Sequence, residues 1–250
     1  MDRLQLDKNA KLTGRVYFKD EVMWLGLSGS GASFTFDGTK LVLKLKGDNI
    51  AVGDNPIDYA RIAVYVDGKR VVDEMIDCAE KEVTVIDRTE SAQSVVEIIK
   101  LSESPMSAVG VEAFAEGSAE ALPEKPLKIE FIGDSITCGY GVDDEDENHQ
   151  FTTATEDVTK AYAYKTAKAL DAEYSMFSAS GYGIVSGYTE GDEPISEQTI
   201  PQFYCSYGFS RGDFAGTAPQ DIPWDFSKYI PQIIVINLSL IHISEPTRRS

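Results

Sequence analysis

The apolar rhythm of this chain changes once, and that change limits the folds open to it. From about residue 13 to 117 the dominant period is two. In "KLVLKLKG", Leu41, Leu43 and Leu45 fall on one face, and Val42, Lys44 and Lys46 on the other. "ARIAVYVDGKRVV" sets Ile62, Val64 and Val66 against Ala63 and Tyr65, then reaches Asp67-Gly68, a strong hairpin signal. "SFTF", "EVTVID", "SVVEIIKL" and "AVGVEAFAE" read as further strands, and no helical stretch interrupts them. Many short strands separated by turn residues predict a β-sandwich over residues 1–120.

Residues 118–126, "SAEALPEKP", are small, acidic and proline-bearing, as expected of a linker. Beyond them "LKIEFIG" is a near-continuous apolar strand of the parallel-sheet kind. Thr155 then predicts a helix cap for "EDVTKAYAYKTAKALDAE", with Glu156 and Asp157 in the first turn. Val158, Ala161, Tyr162, Ala169 and Leu170 would form its buried stripe. "AEYSMFSAS" and "PQIIVINL" read as two more strands, joined by a Gly/Pro/aromatic loop from about 186 to 223, long enough to suggest function. Residues 121–238 are therefore expected to form an α/β unit on a parallel sheet.

Composition narrows the partners. The formal charge of −18 argues against nucleic acid or an anionic membrane, since both need a basic face. Three scattered cysteines form neither a disulfide framework nor a zinc pair, and nothing in the sequence calls for a cofactor or metal. The N-terminus has no apolar leader, and no stretch approaches the roughly 18 apolar residues of a membrane span. As written, a cytoplasmic protein is expected; an incomplete N-terminus would allow secretion.

The chemistry-bearing stretch is "IEFIGDSITCGYG", Ile129 to Gly141. Ligands of open parallel sheets bind at the carboxyl ends of the strands, and Ser135 follows such an end. Gly133 allows a sharp bend, and a helix beginning there would point N–H groups at an anion. That setting suits a serine attacking a carbonyl while backbone donors hold the oxyanion. By itself, Gly-Asp-Ser is also a common turn.

The stretch resembles block I of the SGNH, or GDSL, hydrolases. Together, "WLGLSGSGASFTFDGT", "YVDG", "KLSES", "KIEFIGDSITCGYG", "TATEDVTKAYAY" and "SASGYGI" resemble carbohydrate esterase family two over residues 10 to 238. That resemblance implies a jelly-roll domain followed by an SGNH hydrolase domain, acting on acetylated plant polysaccharide (xylan or mannan type). It makes Ser135 the nucleophile and one oxyanion donor, and Gly181 the second backbone donor. At Gly181 a side chain would obstruct the acyl group, though an ordinary post-strand turn would also place a glycine there. Asp134 reads as a turn residue rather than a triad acid, because it adjoins Ser135. Trp224 reads as packing, or as a sugar-stacking platform.

The same resemblance demands Gly-x-Asn-Asp after "VINL", with an oxyanion Asn, and later an Asp-x-x-His segment supplying the base. Here "SLIHISEPTRRS" follows instead. The two histidines, His149 in an acidic run and His242 in the tail, lack the family spacing. Leu238 to Arg248 looks like the translation of a transposon-based sequencing adapter, so residues 239–250 are expected to be non-native. Two readings follow: an acetyl esterase lacking its base and inactive as it stands, or a non-catalytic carbohydrate-binding β-sandwich with a degenerate hydrolase half.

Overall fold

The computed structural model describes residues 1–146, 148–189, 193–214 and 216–238. Nine antiparallel strands fill the N-terminal half: β1 (Asp2–Leu4), β2 (Lys11–Thr13), β3 (Val16–Lys19), β4 (Val22–Leu25), β5 (Gly31–Gly47), β6 (Ala60–Val66), β7 (Lys69–Ile76), β8 (Glu80–Lys100) and β9 (Val109–Ala121). A one-turn helix, α1 (Leu6–Asn9), joins the first two. The order is β3-β4-β9-β5-β8-β6-β7, with β1 added on β9 and β2 on β5. Asp67 and Gly68 both have positive φ (51° and 77°), as the tight β6–β7 hairpin requires.

The separate layers expected of a sandwich are here one hydrogen-bonded sheet. It curls: β7 packs back against β5, although two strands lie between them in the sheet order. The bend falls where Gly38 pairs with Gly117 and the register slips. A Cβ on Gly38 would meet the Glu116 carbonyl at 2.3 Å, and one on Gly117 the Asp37 carbonyl at 2.3 Å. Only two facing glycines allow the strands to cross so closely. Leu41, Leu43, Leu45, Ile62 and Val64 all lie in the enclosed core.

The C-terminal half holds three parallel strands, β10 (Lys128–Gly133), β11 (Glu173–Ser178) and β12 (Ile233–Asn237), in the order β11-β10-β12. Short helices α2 (Ser135–Cys138), α3 (Tyr162–Ala169) and α4 (Ile200–Phe203) accompany them. Among the described residues, no helix is long and apolar enough to cross a membrane.

Two expectations change. First, β9 runs to Ala121, pairing residues 118–121 with 34–37, so the first four residues of the expected linker are strand. Second, the helix starts at Tyr162 and not after Thr155. Residues 153–155 and 158–160 are 3-10 turns, and Ala163 and Ala167 form the buried stripe while Leu170 is exposed. Glu156 and Asp157 are fully buried between those turns. Asp157 caps the second turn through Thr159 N (3.0 Å) and pairs with Arg70 at 2.7 Å; Glu156 accepts Glu103 N at 2.9 Å. Partners on the antiparallel sheet thus override the local helix signal. The outer face of that sheet is covered where Ala63 and Ile99 lie. They and Leu101 pack into one core with Ile129 and Phe131 of β10.

The long loop after β11 is largely mortar. Tyr207 and Phe214 are buried against Trp24 and Val22, and the Tyr207 hydroxyl donates to the Trp24 carbonyl at 2.7 Å. The proposed non-native tail, residues 239–250 with His242, lies outside the described residues.

Candidate active site

The three parallel strands end together: Gly133 stands in register with Ser178 on one side and Asn237 on the other. At the end of β10 a Cβ on Gly133 would lie 1.9 Å from the Thr137 hydroxyl, so glycine is what lets the following turn fold over the strand. Asp134 is fully buried and extended, and its carboxylate accepts Ile136 N–H at 3.1 Å. It is the cap of α2, and Ser135 is the first residue of that turn.

On the neighbouring strand, Ala179 N–H donates to the Gly133 carbonyl at 3.2 Å, and the chain then turns through Ser180 and Gly181. Gly181 has φ +76°, while a Cβ there would meet only Tyr188 Cβ at 3.6 Å. Backbone conformation, not crowding, is the visible reason for glycine. Ser135 and Gly181 thus follow the ends of adjacent parallel strands, on one edge of the sheet. Leu238 is the last described residue after β12, so the position expected to hold an oxyanion Asn falls outside the description.

Among the described residues the one histidine is His149. Its Nδ1 lies 2.8 Å from Asp144 Oδ1 and its Nε2 3.8 Å from Asp146 Oδ2, in an exposed acidic loop. Trp224 lies elsewhere. Its ring covers the Arg15 guanidinium at 5.2 Å, with Phe177 at 4.4 Å and Tyr204 at 4.8 Å completing an aromatic box. The cavity that Trp224 lines, with Leu12, Gly14, Tyr17 and Tyr229, includes neither Ser135 nor Gly181.

Beneath the serine turn lies a buried charge cluster that motif reading missed. Lys100, Glu103, Cys138 and Glu156 are all fully buried. Lys100 Nζ donates to the carbonyls of Ser102 (2.7 Å) and Glu103 (3.0 Å). Glu103 Oε2 accepts Ser180 N–H at 2.6 Å and faces Cys138 Sγ at 3.9 Å. Burial pushes both carboxyls up, that of Glu156 well up with Glu103 adding to the shift. Burial also pushes the Lys100 ammonium down to about 8. Glu103, Cys138 and Glu156 place possible metal-ligating atoms within 4.8 Å of one another. Burial beside two carboxyls raises the Cys138 thiol well up, keeping it protonated, and Lys100 already supplies a cation. The cluster therefore suits a shared proton better than a metal ion. One signal for it existed: Val96, Ile98 and Lys100 share a period-two face, which places a lysine at an inward position.

An antiparallel domain sealed to a parallel α/β unit, with a serine turn at the end of the central strand, defines the class: a two-part scaffold with a strand-end serine site. Residues 12–126 match the family model "Carbohydrate esterase 2 N-terminal". The chain is 31% identical over 214 residues to the cellulase/esterase CelE of Acetivibrio thermocellus, covering 84% of this chain and 24% of that protein. It is 28% identical over 236 residues to an acetylxylan esterase / glucomannan deacetylase of Cellvibrio japonicus, covering 92% of this chain and 60% of the relative. A family two carbohydrate esterase from Clostridium thermocellum, solved with cellohexaose, superposes with TM-score 0.74 at 27% identity, covering 92% of this chain and 65% of that one. An acetyl xylan esterase from the rumen bacterium Butyrivibrio proteoclasticus shares the fold, with TM-score 0.82 at 20% identity over 96% of this chain and 64% of the other. The N-terminal segment thus matches the carbohydrate esterase 2 N-terminal model, and most of the chain is similar to carbohydrate esterases. It spans only part of each relative.

Proposed function

We propose that this chain carries the nucleophile half of an SGNH-type serine esterase that removes O-acetyl groups from a plant polysaccharide of xylan or mannan type. The observation that carries this reading is the placement of Ser135 and Gly181 after adjacent parallel strand ends, each offering a backbone N–H. Ser135 Oγ would attack the acetyl carbonyl, and the two N–H groups would hold the oxyanion. Kinship with acetylxylan esterases supports the substrate class.

The reading includes a deficit. His149 is committed to Asp144 and Asp146, and no other histidine lies among the described residues. Without a general base, Ser135 remains a neutral alcohol, a loss of about 10²–10⁴-fold. We therefore expect this chain to be nearly inactive, with the base belonging to the part of such an esterase that it does not span. A second reading, a non-catalytic carbohydrate-binding protein, is supported by the similar family two esterase solved with cellohexaose. Two measurements on the purified chain separate them. The esterase reading expects slow acetylation of Ser135 by an activated acetyl ester, seen by mass spectrometry and lost in Ser135→Ala. Saturable binding of deacetylated xylan without any labelling of Ser135 would favour the binding module.

A further inference from the structure

Glu103 belongs by sequence to the antiparallel domain, yet its side chain reaches under the serine turn. The residue sits in the loop between β8 and β9 and is fully buried. Its Oε2 accepts Ser180 N–H at 2.6 Å, one peptide before the peptide that carries the Gly181 N–H. The same oxygen lies 3.9 Å from the Sγ of Cys138, the residue that closes the helical turn opened by Ser135. One carboxylate therefore contacts both segments from which the oxyanion donors project.

The backbone that carries this carboxylate is held at both of its polar groups. Lys100 Nζ donates to the Glu103 carbonyl at 3.0 Å, and the Glu103 N–H donates to Glu156 Oε2 at 2.9 Å. Glu103 Oε1 and Glu156 Oε1 are buried with no hydrogen-bond partner among the described residues, and so is Ser180 Oγ. The backbone bond from Ser180 N–H to Glu103 is what ties this turn to the antiparallel domain. Two acids and one ammonium also balance when the acid pair keeps one proton, which leaves the other member able to accept. A bond of this kind is shorter and about twice as strong as a neutral one, so it can fix a peptide plane that an ordinary turn would leave free to rock.

We infer that Glu103 is a positioning residue of the oxyanion hole: through Ser180 N–H it sets the direction of the Gly181 N–H relative to Ser135. This rests on the esterase reading of Ser135 and Gly181. The antiparallel domain then does more than bind or support, because it contributes a strut to the reaction centre of its neighbour. The group it acts on is neutral, so its effect should appear as geometry at Gly181 and not as a charge felt by substrate.

The test uses this chain, acetate as the probe, and backbone amide NMR. In the wild type, acetate should shift the Ser135 and Gly181 amides together. Glu103→Gln keeps the shape and an acceptor oxygen but loses the charge. It should move the Ser180 amide proton upfield and weaken acetate about threefold. Glu103→Ala should weaken it tenfold or more, with Gly181 losing its response before Ser135 does. Should the alanine variant fail to fold, the glutamine variant decides alone. A folded Glu103→Gln protein with unchanged Ser180 and Gly181 amides and wild-type acetate affinity overturns the positioning role while leaving the esterase reading intact. A wild type in which acetate shifts neither Ser135 nor Gly181 instead overturns the shared oxyanion site, and the positioning role with it.

Discussion

Glu156 shows how a residue's neighbours across the fold can reverse the role its local sequence suggests. At a helix start it would be a solvated carboxylate favoured by the dipole. Here it is fully buried, facing Glu103, Lys100 and Cys138, with Arg61 donating to its carbonyl at 3.2 Å. Burial first, and the Glu103 charge second, raise its carboxyl well above the ordinary value of 4.5. Between 4.5 and that raised value the native state holds a proton that the unfolded chain has released, so stability falls as pH rises through this window. Glu156→Gln removes that proton exchange and keeps an oxygen for Glu103 N–H. Relative to wild type it should gain stability as pH rises through the same window. Urea melts of both proteins at several pH values measure it; a difference that stays flat with pH would refute the linkage. Arg15 is the complementary case. Its guanidinium is fully buried, donates to the Tyr204 and Ser206 carbonyls, and lies 3.5 Å from Glu130. Arg15→Ala would take the guanidinium donor from both carbonyls and the facing cation from Glu130, which would keep the Tyr204 hydroxyl at 2.6 Å, so a loss of about 3–5 kcal/mol is expected, read as a fall of roughly 10 °C in Tm. Neither residue announced itself in the sequence. Ser135 did, because a strand-end turn is a local pattern, whereas a buried charge is defined by partners some 50 to 190 positions away.

At the scale of elements, legibility followed periodicity. The leucines of β5 and the Asp67-Gly68 hairpin stand where alternation and turn chemistry put them. The start of α3 does not, since its cap and first turn are taken over by Arg70 and Glu103. Period-two reading also could not tell that β6 is covered on both faces, because Ala63 suits either a solvated or a packed position. The strand β12 raises a different question. Among the described residues it pairs with β10 alone, and Ile233, Ile234 and Ile236 are 43%, 54% and 60% exposed. An apolar edge strand is a template for pairing with another chain. Ile234→Lys should therefore reduce self-association without lowering Tm by more than about 2 °C, because the side chain it removes is mostly in water. Sedimentation velocity across a concentration series tests this; equal association by variant and wild type would show that the edge is not the contact.

For the molecule as a whole, composition and length suggest two units, one of them a β-sheet domain large enough to fold by itself. The packing argues otherwise. Ala63, Ile99 and Leu101 complete the core built by Ile129, Phe131 and Met176, so neither half closes its apolar surface alone. Charges cross the same boundary: Lys11 to Glu173 at 2.8 Å, Arg61 to Asp143 at 2.9 Å and Arg70 to Asp157 at 2.7 Å. Arg15 is set wholly inside the α/β half, and Glu103 inside the serine turn. Separating the halves would expose the shared core and strand these side chains at once. The penalty for even one broken buried pair, about 3–5 kcal/mol, is a large fraction of a typical stability of 5–15 kcal/mol. The chain should therefore unfold in a single transition, with calorimetric and van't Hoff enthalpies equal. A fragment of residues 1–121 should bind a hydrophobic dye and melt well below the whole chain. Proteases should cut exposed loops without releasing a stable N-terminal core. Two resolved calorimetric transitions, with the first leaving the antiparallel sheet intact by circular dichroism, would show that the boundary near residue 121 separates independent domains after all.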